Sequence, residues 1–481
     1  MSPKDPAFFD SLLTRATQHA LSHLQARDEQ PIGAQATTEA LRARLMKPLG
    51  AHGIAPERVI DDLVADVAGG LHGMNTGRFY GWVNGGTLPA SLAADWLTSA
   101  WDQNAANYAV SPAAAIVEEV VGDWLKALFN LPAHTSFALV TGTQLAHVTC
   151  LAAARHRLLR TRGWDVEAKG LNGAPPLHIL TSSERHGSID RAARLIGIGR
   201  DNVYPLPCQA DGTLAADVLR DALSAHQDAA VIVALNAGDL NIGAFDDFAT
   251  LVPIAHAADA WVHVDGAFGL WAAASPTHRA KTQGLELADS WSTDGHKWLN
   301  TPYDSGIAMI ADWEAHAAAM TYRASYMMVA DSGRDQMDWG PDWSRRARGF
   351  ALYAALRELG RDGIAELIDR CCAMAHMLVT GIGALPGAEL VWTPTINQGL
   401  VRFLDPAPNA TEAAHDAYTD AVIARINATG EAFFGGTSWR GRRCMRVSVC
   451  GWQTQSSDVE RTIEAIRTVI ALQAQQRIHP S

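Results

Sequence analysis

The sequence predicts an α/β protein built on a mainly parallel sheet with helices on both faces, flanked by a helical N-terminal segment and a small C-terminal α/β domain. Two observations predict it. Short apolar, β-branched runs recur, and helical stretches separate most of them: "FALVTG" (137–142), "PLHILTS" (176–182), "AAVIVAL" (229–235), "AWVHVDG" (260–266) and "GIAMIA" (306–311). Runs that are apolar throughout, rather than alternating, fit strands covered on both faces. A chain of 481 residues, 48% apolar, also exceeds one ordinary core and suits one large unit plus a smaller one.

Taken in order, residues 8–27 and 37–70 read as amphipathic helices broken by "EQPIGAQA". The glycine-rich "GRFYGWVNGGTLPAS" (77–91) leads into a helix ending near Ala100. "AAAIVEEVVGDWLKALF" is helical, and "TQLAHVTCLAAARHRLLRTRG" is a helix closed by glycine. After the strands above come a helix around 343–380, a turn at "GIGALPG" (381–387), strands near 388–404 and 443–450, and a final helix over 456–475. The expected domains are 1–76, 77–345 and 346–481.

Net charge is −12 and no dense Lys/Arg stripe appears, which argues against a nucleic-acid surface. Six cysteines without regular spacing make no disulfide framework, and Cys371-Cys372 sits in a helical pattern as packing. The first residues hold no apolar run long enough for a signal peptide or membrane span, so a cytoplasmic enzyme is expected.

In a doubly wound sheet, ligands bind beyond the carboxyl ends of the strands. Beyond "FALV" lies Thr141-Gly142-Thr143-Gln144, where free N–H groups at a helix start favour a phosphate; the alternative is a Thr cap with a turn glycine. His186, beyond "HILTS", offers a flat ring to an aromatic ligand or is simply a polar loop residue. Asp265 ends a buried strand and must be paired, either in a structural salt bridge or with a cationic ring nitrogen. Lys297, in the turn before "GIAMIA", is a surface lysine or a desolvated amine nucleophile. Neither a Walker lysine nor a G-x-G-x-x-G after a strand is present. A phosphate cradle, a stacking histidine, a buried aspartate and a lysine at successive strand ends are the parts of a pyridoxal phosphate (PLP) site. No metal site is expected.

From Gly77 to Cys450 the chain resembles the group II PLP-dependent amino-acid decarboxylases, a group that includes aromatic-L-amino-acid, glutamate and diaminobutyrate decarboxylases. The resemblance rests on "HVDGAFG", "STDGHKW", "SSERHGSIDRAA", "GDLNIGAFD" and "WSRRARGFALYAALRELGR", in that family's pattern. It implies the fold type I (aspartate aminotransferase) architecture with a seven-stranded sheet, residues 77–345 as the PLP-binding domain, and a homodimer with the site at the interface. By position, Lys297 would bind the cofactor's carbonyl and Asp265 its ring nitrogen, and His186 would stack on the ring. Gly142, Thr143 and His296 would hold the phosphate. Tyr326 would protonate the substrate carbon, and Trp82 and Asn84 would lie near the substrate.

The chain departs from the family pattern at Gln144, where glutamate is common, and at Asp239, where asparagine is common. In "WDQNAANYAVSP", Asn104 and Ala106 stand where aromatic-specific relatives carry bulky groups facing the neighbouring subunit's site. The implied reaction is decarboxylation of an L-amino acid to its amine, with an aromatic substrate as first expectation. An acidic or diamino substrate, or carbon–carbon cleavage of a β-hydroxy amino acid, is the alternative.

Overall fold

A computed structural model describes residues 7–322 and 333–478. Seven strands form the larger sheet: β1 (Ser136–Val140), β2 (Leu177–Ser182), β3 (Val203–Leu206), β4 (Ala230–Asn236), β5 (Trp261–Asp265), β6 (Ser290–Asp294) and β7 (Gly306–Ile310). Their spatial order is β1-β7-β6-β5-β4-β2-β3. From β6 to β3 every pairing is parallel, whereas β7 runs antiparallel to both β6 and β1.

Alternation along each strand divides the apolar groups between two faces. Ile179, Ile232, Trp261 and Ile310 pack with Ala146, Cys150 and Leu151 of the helix Thr143–Thr161. Leu180, Val233, Val262 and Ile307 point the other way, into a core with Val121, Leu125, Phe248 and Leu352. His263 and Asp265 follow Trp261 at two-residue steps, so they share the face covered by the helix Thr143–Thr161.

The second sheet is antiparallel, in the order β10-β11-β9-β8, from β8 (Ala388–Trp392), β9 (Gln398–Phe403), β10 (Gly435–Trp439) and β11 (Arg442–Ser448). Helices Gly349–Gly383 and Glu412–Thr429 cover it and Ser456–Ile478 packs on both; the first breaks at Gly360, whose φ is 61°. No helix among the described residues is long and apolar enough to cross a membrane.

Four sequence expectations need correction. Residues 37–70 form two helices, Thr38–Leu45 and Pro56–Val67, because Pro48, Gly50 and Gly53 lie between them. The first three residues of "GIGALPG" complete the helix Gly349–Gly383 before the turn begins. Strands β3 and β10 were not expected: Pro205 suits β3 only because that strand is a sheet edge, and β10 opens on two glycines. Strand β6 was missed because four of the five residues of "SWSTD" are polar, although all five are buried.

Two backbone approaches near β7 leave no room for a side chain. A Cβ at Gly306 would lie 2.3 Å from Gly142 Cα, and one at Gly85 would lie 1.9 Å from the Lys297 carbonyl oxygen. The glycine-rich segment therefore rests directly on the lysine turn.

Candidate active site

A cavity of about 380 Å³ opens beyond the carboxyl ends of β4, β5 and β6, lined by Gly142, Thr143, His186, Asp265, His296 and Lys297 together with Trp82 and Asn84. Eight residues singled out in the sequence thus meet in one place.

Asp265 is buried at the end of β5, and His147 Nε2 lies 3.4 Å from its Oδ2. Burial alone raises the Asp265 carboxyl. The nearby His147, which also hydrogen-bonds it, and Lys297 outweigh it and hold the group well below the usual carboxylate range. An anion is thereby fixed on the cavity floor. His186 accepts the Ser188 N–H on Nδ1 at 3.2 Å, with Ser188 Oγ 2.7 Å from the same nitrogen. Burial lowers its pKa, against the pull of Asp265, so the ring is neutral and Nε2 carries the proton.

Lys297 sits in the turn after β6 with its Nζ 3.2 Å from Asp294 Oδ2. The sequence reading had no carboxylate partner for this amine. Asp294 also accepts the Thr143 N–H at 2.6 Å and lies 3.6 Å from His296 Nε2. His296 accepts the Ser305 N–H on Nδ1 at 3.0 Å, and its ring stacks on Tyr303 at 4.3 Å between centroids. Burial pushes its pKa down, so it is a neutral ring. Tyr303 donates its hydroxyl to Asn84 Oδ1. Trp82, at φ 48°, stacks against Phe79 and Phe433.

Of three further residues, one falls elsewhere, one borders the cavity with its carboxylate engaged, and one lies outside the described residues. Asn104 lies outside this chain's cavity: its Oδ1 accepts the Arg345 N–H at 3.1 Å, tying it to a segment anchored by the buried Arg345–Glu118 pair. Asp239 borders the cavity, but its carboxylate accepts the N–H groups of Asn241, Ile242 and Ala244, so it shapes a loop. Tyr326 lies outside the described residues.

The sequence reading missed Arg446, which reaches the cavity from β11 in the other sheet. Its hydrogen bonds go to neutral acceptors, Gln398 Oε1 at 3.2 Å and the Trp82 carbonyl at 3.1 Å, which leaves its charge for a ligand. The available signal was an arginine between the buried apolar residues Met445 and Val447.

Two further atoms show that a polar group belongs here. Thr143 Oγ1 and Asn236 Nδ2 are buried, line the cavity and have no hydrogen-bond partner among the described residues. With an amine, a buried anion below and a neutral ring beside it, this donor set fits PLP.

The family model for the pyridoxal-dependent decarboxylase conserved domain matches residues 44–404. The chain is 28% identical over 392 residues to L-2,4-diaminobutyrate decarboxylase of Rhizobium meliloti (strain 1021), covering 79% of this chain and 74% of that protein. It is 26% identical over 425 residues to 4-hydroxyphenylacetaldehyde synthase of Rhodiola rosea, covering 86% and 85%. The fold superimposes on Oryza sativa TDC with PLP and tryptamine at a TM-score of 0.92 and 24% identity, covering 98% of this chain and 100% of that one. The chain therefore belongs to the pyridoxal-dependent decarboxylase family, as a PLP-dependent amino-acid decarboxylase.

Proposed function

We propose that the enzyme decarboxylates an L-amino acid with an aromatic side chain to the corresponding amine, as a homodimer in the cytoplasm. Arg446 carries the amino-acid part of this reading, and the apolar lining the aromatic part. Among the described cavity residues it is the cation whose hydrogen bonds go to neutral acceptors, so it is assigned to the substrate's α-carboxylate. Burial lowers its pKa to about 10, which still leaves it charged at neutral pH.

A second carboxylate on the substrate would find no comparable cation among the described lining residues. A distal ammonium would meet acids already engaged, since Asp239 serves backbone amides and Asp294 serves Lys297 and Thr143. The rest of the lining includes Trp82, Phe268, Leu240 and Tyr303. These surfaces suit an aromatic group.

PLP, when bound, supplies a carbonyl to capture the amine and a ring to accept the electrons freed as carbon dioxide leaves. Lys297 would hold its carbonyl, Asp265 its ring nitrogen, and Gly142, Thr143, Asn236 and His296 its phosphate end. Asp265, anionic and buried, would keep a proton at the ring nitrogen. His186 lines the cavity and would cover one face of the ring. Arg446 fixes the direction of the carboxylate that departs. Proton delivery to the substrate carbon is assigned to Tyr326 by its place in the sequence.

A homodimer is supported by the apolar face of the N-terminal helices and their surroundings, where Leu13, Leu21, Val59, Leu63, Leu97 and Trp101 are all exposed in one chain. All six cysteines are free, which supports the cytoplasm. Carbon dioxide and amine release across the twenty amino acids and common non-proteinogenic ones tests the substrate class. Turnover confined to glutamate or diaminobutyrate would overturn it, and a monomer in sedimentation equilibrium would overturn the dimer.

A further inference from the structure

The buried side of Asp265 carries a row of polar groups that the reaction itself does not use. His147 lies four residues into the helix that begins at Thr143, one turn in, and so faces the sheet below the cavity. Strand pairing sets His263 opposite Ser290 and Asp265 opposite Ser292. The helix lays His147 across this square. His147 Nδ1 is 2.9 Å from His263 Nε2 and 3.2 Å from Ser292 Oγ. His263 Nδ1 is 2.9 Å from Ser290 Oγ. At the far end, Trp261 Nε1–H donates to Ser290 Oγ at 2.9 Å. Both histidines are fully buried.

The hydrogen bonds fix a direction. Ser290 Oγ accepts the Trp261 N–H and turns its own hydroxyl toward His263 Nδ1, the arrangement that agrees with a proton on His147 Nε2 facing the acceptor-only Asp265 carboxylate. Burial keeps His263 neutral, lowering its pKa to about 3, so its single ring proton sits on Nε2 and points at His147 Nδ1. His147 then carries its proton on Nε2. That nitrogen is buried, has no other hydrogen-bond partner among the described residues, and faces the Asp265 carboxylate at 3.4 Å. The opposite polarity would aim a bare nitrogen lone pair at a buried anion.

We infer that His147 is a positioning residue which, oriented by His263 and Ser290, holds the Asp265 carboxylate toward the cofactor's ring nitrogen. The inference rests on the cofactor assignment above. It makes the helix that cradles the phosphate also the support for the residue beneath the ring, so one helix aligns both ends of PLP.

The test uses the full chain stripped of cofactor and titrated with PLP, and separately with the 1-deaza analogue, in which a C–H replaces the ring nitrogen. Tryptophan fluorescence follows binding. His147→Leu should weaken PLP about tenfold, the loss expected for a hydrogen bond to a charged group, while changing deaza-analogue affinity less than twofold. His147→Gln, which keeps a donor, should restore most of the PLP affinity. Ser290→Ala is a milder second break and should cost PLP about threefold, again sparing the analogue. Equal weakening of both ligands would show that His147 only packs the helix and would overturn the proposal, as would unchanged PLP affinity in both variants. If the wild-type protein bound neither ligand, the cofactor reading itself would fall and the relay with it.

Discussion

Along the floor of the cavity and just beneath it, His147, His263, Asp265 and Asp294 are buried and each meets a protein group, whereas at its rim Trp82 and Tyr303 are each 59% exposed. The floor is drawn from strand ends and one helix start; the rim comes from the glycine-rich segment and the turn after Lys297. Buried polar groups tolerate little movement, because any that lose their partners retain the full desolvation penalty. Exposed aromatic groups can exchange partners at little cost. Chemistry is therefore fixed by the floor, and choice of substrate is left to the rim.

The widest break in that contrast is at the floor. Lys297→Ala should lower carbon dioxide release on the order of 10⁴-fold and remove the visible absorbance that borohydride bleaches in the wild type. Retention of that absorbance would move the amine's role elsewhere. Arg446→Gln, where floor and rim meet, should reduce kcat/KM about a hundredfold, with PLP affinity within about twofold of wild type. An equal fall in PLP affinity would assign Arg446 to the cofactor instead.

The floor and the neighbouring core should also show in acid stability. Burial holds His263 and His316 at pKa values of about 3, while an unfolded histidine titrates near 6.5. Protons therefore bind the unfolded chain first, and the stabilisation present above pH 6.5 is lost as pH falls toward 3. Between pH 6.5 and pH 5 each histidine should cost about 2 kcal/mol, read from urea denaturation midpoints, and His263→Asn should reduce the slope. The smallest effect belongs to the rim. Trp82→Ala should raise KM for an aromatic amino acid about tenfold with kcat nearly unchanged. A matching loss in kcat would place Trp82 among the groups that act on the reacting atoms.

The same contrast explains what could be read from the chain before folding. Lys297, Asp265, His186 and Gly142-Thr143 were legible because each follows a strand, and strand ends converge in this topology. Arg446 was not, since it comes from a second sheet whose approach to the cavity depends on packing between distant segments. His147 was hidden for a different reason: in "TQLAHVTC" it reads as one more residue of a half-apolar helix, and only strand register brings Ser292 and Asp265 beneath it. Strand β6 was concealed by the polar residues it contributes to the site. Asn104 stood outside the cavity because its side chain is held by the Arg345 backbone N–H.

The contact between Gly85 and the Lys297 carbonyl has a consequence for directed evolution. A library that randomises the glycine-rich segment should enrich changes at Trp82 and Asn84 while returning glycine at 85, since any side chain there must displace the lysine turn. Selectivity and catalysis would then be separable within four residues, with positions 82 and 84 free to drift and position 85 held fixed by a backbone oxygen.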